Sequence, residues 1–233
     1  MNLKKMWRTA NRGVIVAILL LVLLVIYVLV DYSNFKGETD DIKTVVTDYV
    51  KEYMDSLNVP VDIKNTKNWT KELADSKADT YKQLLDKYFT YTYTKGDIFE
   101  EESDITREEA DDFISETYDL ANLKGRGFVT ESTYSTNRMK VEKYGPNGAL
   151  VTFNLENSLK TTGSPVFPLI DFVPCDDYNE YDEEGEIVAS TKLQSVSISS
   201  SITVKLTRES GTWKISKISS SDTSSSIDMG GLE

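Results

Sequence analysis

Residues 41–57 read DIKTVVTDYVKEYMDSL, and their spacing decides what kind of fold this chain can have. Ile42, Val45, Val46, Tyr49, Val50, Tyr53, Met54 and Leu57 recur at i, i+3, i+4, i+7, i+8, i+11, i+12 and i+15. That is the one-sided stripe of an amphipathic helix, so a second layer must cover it. The helix is predicted to start at a cap on Thr39 or Asp40 and to end near Asn58, because Pro60 disfavours helix at the residue before it.

Upstream lies a different helix signal. Residues 13–30, GVIVAILLLVLLVIYVLV, carry no charge. At about 1.5 Å rise per residue they just cross a hydrocarbon core of roughly 30 Å. No Ala-x-Ala pattern follows Val28 and Val30, which argues for an uncleaved anchor over a cleaved signal. No cysteine follows either, which excludes lipid attachment there. Lys4, Lys5, Arg8 and Arg12 precede the run, and Asp31, Glu38, Asp40 and Asp41 follow it with only Lys36 between, so the amino terminus is expected in the cytoplasm and the remainder outside. The expected layout is a cytoplasmic basic tip at 1–12, a transmembrane helix at 13–30 and a polar spacer at 31–38. An extracytoplasmic domain at 39–219 and a disordered serine-rich tail at 220–233 complete it.

Composition narrows the function classes. The chain has 26 basic and 38 acidic residues, and setting aside the four basic residues of the tip leaves 22 against 38, a net −16. Such a surface repels nucleic acid, so no nucleic-acid partner is expected. The absence of histidine removes Ser-His-Asp and Cys-His constellations and every histidine-containing metal site. The single cysteine, Cys175, cannot close an intrachain disulfide, a usage that fits a bacterial envelope. In that setting the Asn68-Trp69-Thr70 acceptor pattern for glycosylation is irrelevant.

Downstream, residues 67–93 carry Trp69, Leu73, Tyr81, Leu84, Leu85, Tyr88 and Phe89 at helical spacing, weakest at 75–79, which predicts two helical pieces or one kinked helix. The Thr/Tyr alternation at 90–94 predicts a short strand ended by Gly96, and Glu100, Glu101, Glu102 and Asp104 a solvated turn. Thr106 and Glu109 form a capping box for a helix lined by Ala110, Phe113, Ile114, Thr117, Tyr118 and Ala121, ending at Gly125. Beyond Gly127 the texture is β. Strands are expected at 128–136, 138–144 and 149–161 around a turn at 145–148, then a long run at 186–207 and a last strand at 212–219 with Trp213, Ile215 and Ile218 inward. Helices followed by an antiparallel meander give an α+β domain with about three helices on one face of a curved sheet.

The order of a long first helix, further helices, then hairpins ending in Gly211-x-Trp213-x-Ile215 resembles the nuclear transport factor 2-like superfamily, over residues 40–219. The layout with one amino-terminal helix is similar to that of membrane-anchored envelope proteins, such as the inner-membrane scaffold component of type IV secretion and conjugation machines. That resemblance implies a non-catalytic scaffold or interaction module in the cell envelope, with no cofactor, bound to protein partners or to itself. The same superfamily includes ketosteroid isomerase-like enzymes and dehydratases with a pocket inside the cone. The missing histidine departs from the dehydratases, and a pocket carboxylate beside a tyrosine donor would serve the isomerase type. This ligand-binding or isomerase-like cone is the alternative.

Two further stretches are candidate sites. Asp176, Asp177, Asn179, Asp182 and Glu184 offer oxygen ligands for calcium, although Asp182 stands where an EF-hand loop needs glycine; a solvated acidic hairpin tip is the plainer reading. Val166, Phe167, Leu169, Ile170 and Phe172, punctuated by Pro165, Pro168 and Pro174, are either a lid packed over the core or a partner-docking surface.

Overall fold

The structure is a computed structural model, and it describes residues 12–59, 69–96, 103–163, 165–167, 180–181, 187–188 and 193–228. Helix α1 (Arg12–Leu57) is one unbroken helix. The chain divides into two units between Asp41 and Ile42. In the first, the apolar run is exposed apart from the half-buried Ile15. The spacer expected at 31–38 is helical. Its residues include no proline, Gly37 alone costs about 1 kcal/mol relative to alanine, and extending an existing helix is far cheaper than nucleating a new one. Thr39 therefore is no cap, and its hydroxyl donates back to the Phe35 carbonyl at 3.3 Å.

In the second unit the stripe read from residues 41–57 is the centre of the core. Ile42, Val46, Tyr49, Tyr53 and Met54 are fully buried, while Val45 is half-buried. Helix α2 (Lys71–Tyr88) follows, capped by Thr70, whose hydroxyl accepts from the Leu73 amide. It is continuous, without the kink or break expected at 75–79. The apolar signal fades there because the inward positions are Ala74, Lys77 and Ala78. Strand β1 (Phe89–Gly96) leaves α2 directly, and β2 (Ser103–Thr106) returns beside it, so Asp104 belongs to a strand and not to a solvated turn. Helix α3 (Arg107–Thr117) starts on the predicted capping box. It ends eight residues before Gly125. Asp119 Oδ1 accepts from the Ala121 amide and Asn122 Nδ2 donates to the Glu116 carbonyl, local bonds that replace another helical turn.

Strands β3 (Phe128–Lys143) and β4 (Gly148–Thr162) form a long hairpin. The break expected near residue 137 is a register shift between Asn137 and Lys140, with Arg138 at φ 58°, inside one strand. Short strands β5 (Glu180–Tyr181) and β6 (Ile187–Val188) pair as a separate ribbon, and β7 (Leu193–Glu209) and β8 (Thr212–Asp228) close the main sheet. The sheet order is β2-β1-β8-β7-β4-β3. It is mixed and not purely antiparallel, because β1 enters beside β8 in parallel.

The tail expected to be disordered from residue 220 is paired as far as Asp228, opposite Ser195. Ladder hydrogen bonds are made by the backbone and do not need apolar side chains, and Ile227 still stands opposite Val196. Trp213, Ile215 and Ile218 are buried as the closing motif requires. Helices on one face are tied to the sheet by the Ser132 hydroxyl donating to Met54 O at 2.9 Å and the Val59 amide donating to Val129 O at 3.0 Å.

Gly127 sits where β3 begins against the end of β4, and a Cβ there would lie 1.3 Å from the Thr162 carbonyl oxygen. Neither backbone can yield without opening the hairpin. Gly127→Ala is expected to cost about 1–3 kcal/mol, as overpacking does, read as a lower urea midpoint at unchanged slope. A midpoint equal to that of the parent would contradict the placement.

Candidate functional site

The helix-side interior is filled by rings. Trp69 stacks its edge on Tyr118 at 5.8 Å, Tyr118 lies over Tyr81 at 5.5 Å, and Tyr81, Tyr53 and Tyr49 continue the row at 6.1 and 6.0 Å. Burial pushes the hydroxyls of Tyr49, Tyr81 and Tyr118 above their ordinary pKa, so all three stay protonated at neutral pH. Tyr81 donates to Ser56 O at 3.4 Å, whereas the Tyr49 hydroxyl is sealed without a partner.

Where β1 meets α3, charge enters this wall. Tyr93, buried on β1, is pushed up to about 12 by burial, with the Arg107 guanidinium pulling down and the Asp111 carboxylate pushing up. Arg107 Nη2 donates to Phe89 O at 3.2 Å and Thr90 O at 3.4 Å, and Nη1 lies 3.3 Å from Asp86 Oδ1. The guanidinium is thus committed to the α2–β1 junction. Asp111 Oδ1 is closed off from solvent and accepts no hydrogen bond. A phenol held protonated and an unbonded carboxylate oxygen are the acid/base vocabulary set out above for the isomerase type. Sequence reasoning missed this pair because thirteen tyrosines and the many acids are alike in one dimension. The only local signal was the capping box, which sets Asp111 on the first turns of α3.

Lys77 is the buried charge on α2, at 7% exposure. Its ammonium donates to Asn58 O at 2.7 Å and to Ser56 O, closing the carboxy-terminal end of α1. Burial lowers its pKa from 10.5 to about 8. The unfolded chain then binds the extra proton between pH 8 and 10.5, so stability rises across that window by at most about 1.4 kcal/mol per unit. Tyrosines raised above 10 act oppositely, costing stability once the unfolded chain ionises. Thermal melting is therefore expected to peak between about pH 8 and 10. In Lys77→Met the rise disappears, and a parent melting curve flat from pH 7 to 10 would contradict the assignment.

The calcium candidates Asp176, Asp177, Asn179, Asp182 and Glu184 lie outside the described residues, with β5 and β6 bracketing residues 182–186. Among the described residues no group of three or more metal-ligating side chains comes together. Of the docking candidates, Phe167 is buried and Val166 half-buried; Leu169, Ile170 and Phe172 lie outside the described residues.

No family model matches this chain, and no curated protein does. Solved structures similar to it include hexachlorocyclohexane dehydrochlorinase LinA type 2, at 11% identity and TM-score 0.44 over 84% of this chain and 94% of that one. LinA-type3 from Novosphingobium barchaimii LL02 stands at 9% identity and TM-score 0.46 over 84% and 95%. The association domain of C. elegans CaMKII stands at 14% and 0.39 over 80% and 97%. None of these likenesses bears on what chemistry this chain performs.

Proposed function

We propose that the chain is a single-pass membrane protein, amino terminus cytoplasmic, whose exported α+β domain is a non-catalytic scaffold or interaction module of a cell-envelope complex. One observation carries the reading: an 18-residue window of α1 is apolar and has no buried residue, so water is the wrong solvent for it. A core helix of a soluble protein would bury that surface. Basic flanking residues before the run and acidic ones after it support this orientation. Chemical crosslinking in intact membranes followed by purification of the full chain in mild detergent tests the module. The expected result is a reproducible crosslinked species containing a second protein or a second copy; recovery of the uncrosslinked monomer alone under several conditions contradicts it.

The Tyr93–Asp111 pair favours a second reading, a ligand-binding or isomerase-like cone. A phenolate such as 4-nitrophenolate bound beside a protonated tyrosine changes its absorption spectrum. A spectrum unaltered by the full chain removes this alternative, and a change lost in Tyr93→Phe supports it.

A further inference from the structure

The two edges of the main sheet are finished differently. At one stands β2, four residues long, and a short edge strand is a usual protection against pairing with another chain. At the other stands β3, sixteen residues long, with β4 as its one sheet neighbour among the described residues. The first residues of β3 are covered: Val129 O accepts from the Val59 amide, and the Ser132 hydroxyl donates to Met54 O on α1. After Asn137 the register shifts, with Arg138 at φ 58°. A bulge of this kind bends the strand and ends regular pairing. Between these limits residues 131–137 match β4 one for one, without a shift.

Those seven residues, ESTYSTN, hold one charge and neither lysine nor proline, the common guards of an edge. Their backbone groups that point away from β4 need a partner. An unrelated strand is held to no particular register. A second β3 lying antiparallel, by contrast, pairs all seven residues in a single register, about a twofold axis at Tyr134. There Tyr134 faces its own counterpart, Thr133 faces Ser135, Ser132 faces Thr136 and Glu131 faces Asn137. Each pair shares a face of the joined sheet, since Glu131, Thr133, Ser135 and Asn137 are exposed and Ser132, Tyr134 and Thr136 half-buried. No like charges oppose each other, hydroxyl meets hydroxyl, and the carboxylate meets an amide that donates to it. In a chain of net charge −12, an edge with a single acid is where two copies meet with little repulsion.

We propose that the chain forms a twofold dimer in which residues 131–137 of β3 pair antiparallel with the same residues of a second copy, joining two sheets edge to edge. The pairing goes beyond the scaffold reading and does not need it. The experiment uses the full chain in mild detergent with Cys175 replaced by serine and single cysteines placed on β3, and reads disulfide formation on a non-reducing gel. Directly opposed Cα atoms of an antiparallel pair lie about 4.5–5.5 Å apart, inside the span of a disulfide. Positions one residue off the axis lie roughly 8 Å from their own counterparts, beyond it.

Tyr134→Cys is expected to give a disulfide-linked dimer. Thr133→Cys and Ser135→Cys are each expected to stay monomeric alone and to crosslink when mixed, a result that holds even should Tyr134→Cys fail to fold. Added to either background, Asn137→Glu sets a carboxylate opposite Glu131 and is expected to lower the crosslinked yield about fivefold below Asn137→Lys. A scaffold that binds a different protein would still crosslink to it in membranes while giving no disulfide at 134, so the two failures are separable. No dimer in Tyr134→Cys or in the mixture overturns the proposal. Equal crosslinking at 133, 134 and 135 singly, the pattern of chance collision, overturns it too.

Discussion

With arginine in place of both Leu20 and Leu24, the chain moves from the membrane pellet to the soluble fraction. Both leucines lie midway along the apolar run, at 62% and 63% exposure, so neither holds the folded domain together. A charge at the centre of a spanning helix costs about 2.5–3.5 kcal/mol, and two cost roughly 5–7 kcal/mol. That is a shift of more than three decades in partition. The alanine pair at the same positions keeps the run apolar and is expected to stay in the pellet through alkaline extraction. An arginine pair that still pellets, and is released by detergent alone, would show that something other than hydrocarbon holds the run.

Tyr81→Ala is expected to lose about 3–5 kcal/mol, a large part of the 5–15 kcal/mol available to a domain of this size. Tyr81 is 1% exposed and joins two halves of the ring row, touching Tyr118 on one side and Tyr53 on the other. Its removal also takes one of the two donors from Ser56 O, leaving the Lys77 ammonium. Tyr49→Phe is the informative contrast. The Tyr49 hydroxyl is buried and unbonded, so losing it keeps the ring contacts at 5.5 Å to Tyr88 and 5.3 Å to Phe89 while removing a desolvation cost. Urea unfolding is expected to place Tyr49→Phe at or above the parent and Tyr81→Ala far below it. Equal loss in both would mean that Tyr49 has a partner.

What was legible in the sequence was whatever local chemistry enforces. The stripe from Ile42 to Leu57, the Thr106–Glu109 box and the inward Trp213, Ile215 and Ile218 depend on spacing within one element, and all stand in the fold. Boundaries failed where a local signal met a stronger neighbour. The segment at 31–38 looks like a spacer in isolation, yet it follows a helix already formed. The serine-rich residues 220–226 look like a solvated tail, yet β7 offers them a ladder.

The candidate chemistry was less legible, because pairing across the sheet brings together residues that spacing cannot relate. Asn157 and Ser200 are forty-three positions apart and fall on one buried face only through the β4–β7 register. Tyr93 and Asp111 come within electrostatic reach because β2 pairs back on β1 and α3 starts directly from it on the capping box. The acidic insertion and the proline-punctuated segment were singled out by composition, and most of their residues lie outside those described.

The central claim, an anchored chain with its domain outside the cytoplasm, is tested most directly by protease accessibility in spheroplasts of a bacterial host expressing the full chain. A membrane-impermeant protease added to intact spheroplasts is expected to destroy the domain and leave a short amino-terminal fragment in the pellet. A domain that survives until the membrane is lysed would contradict the account.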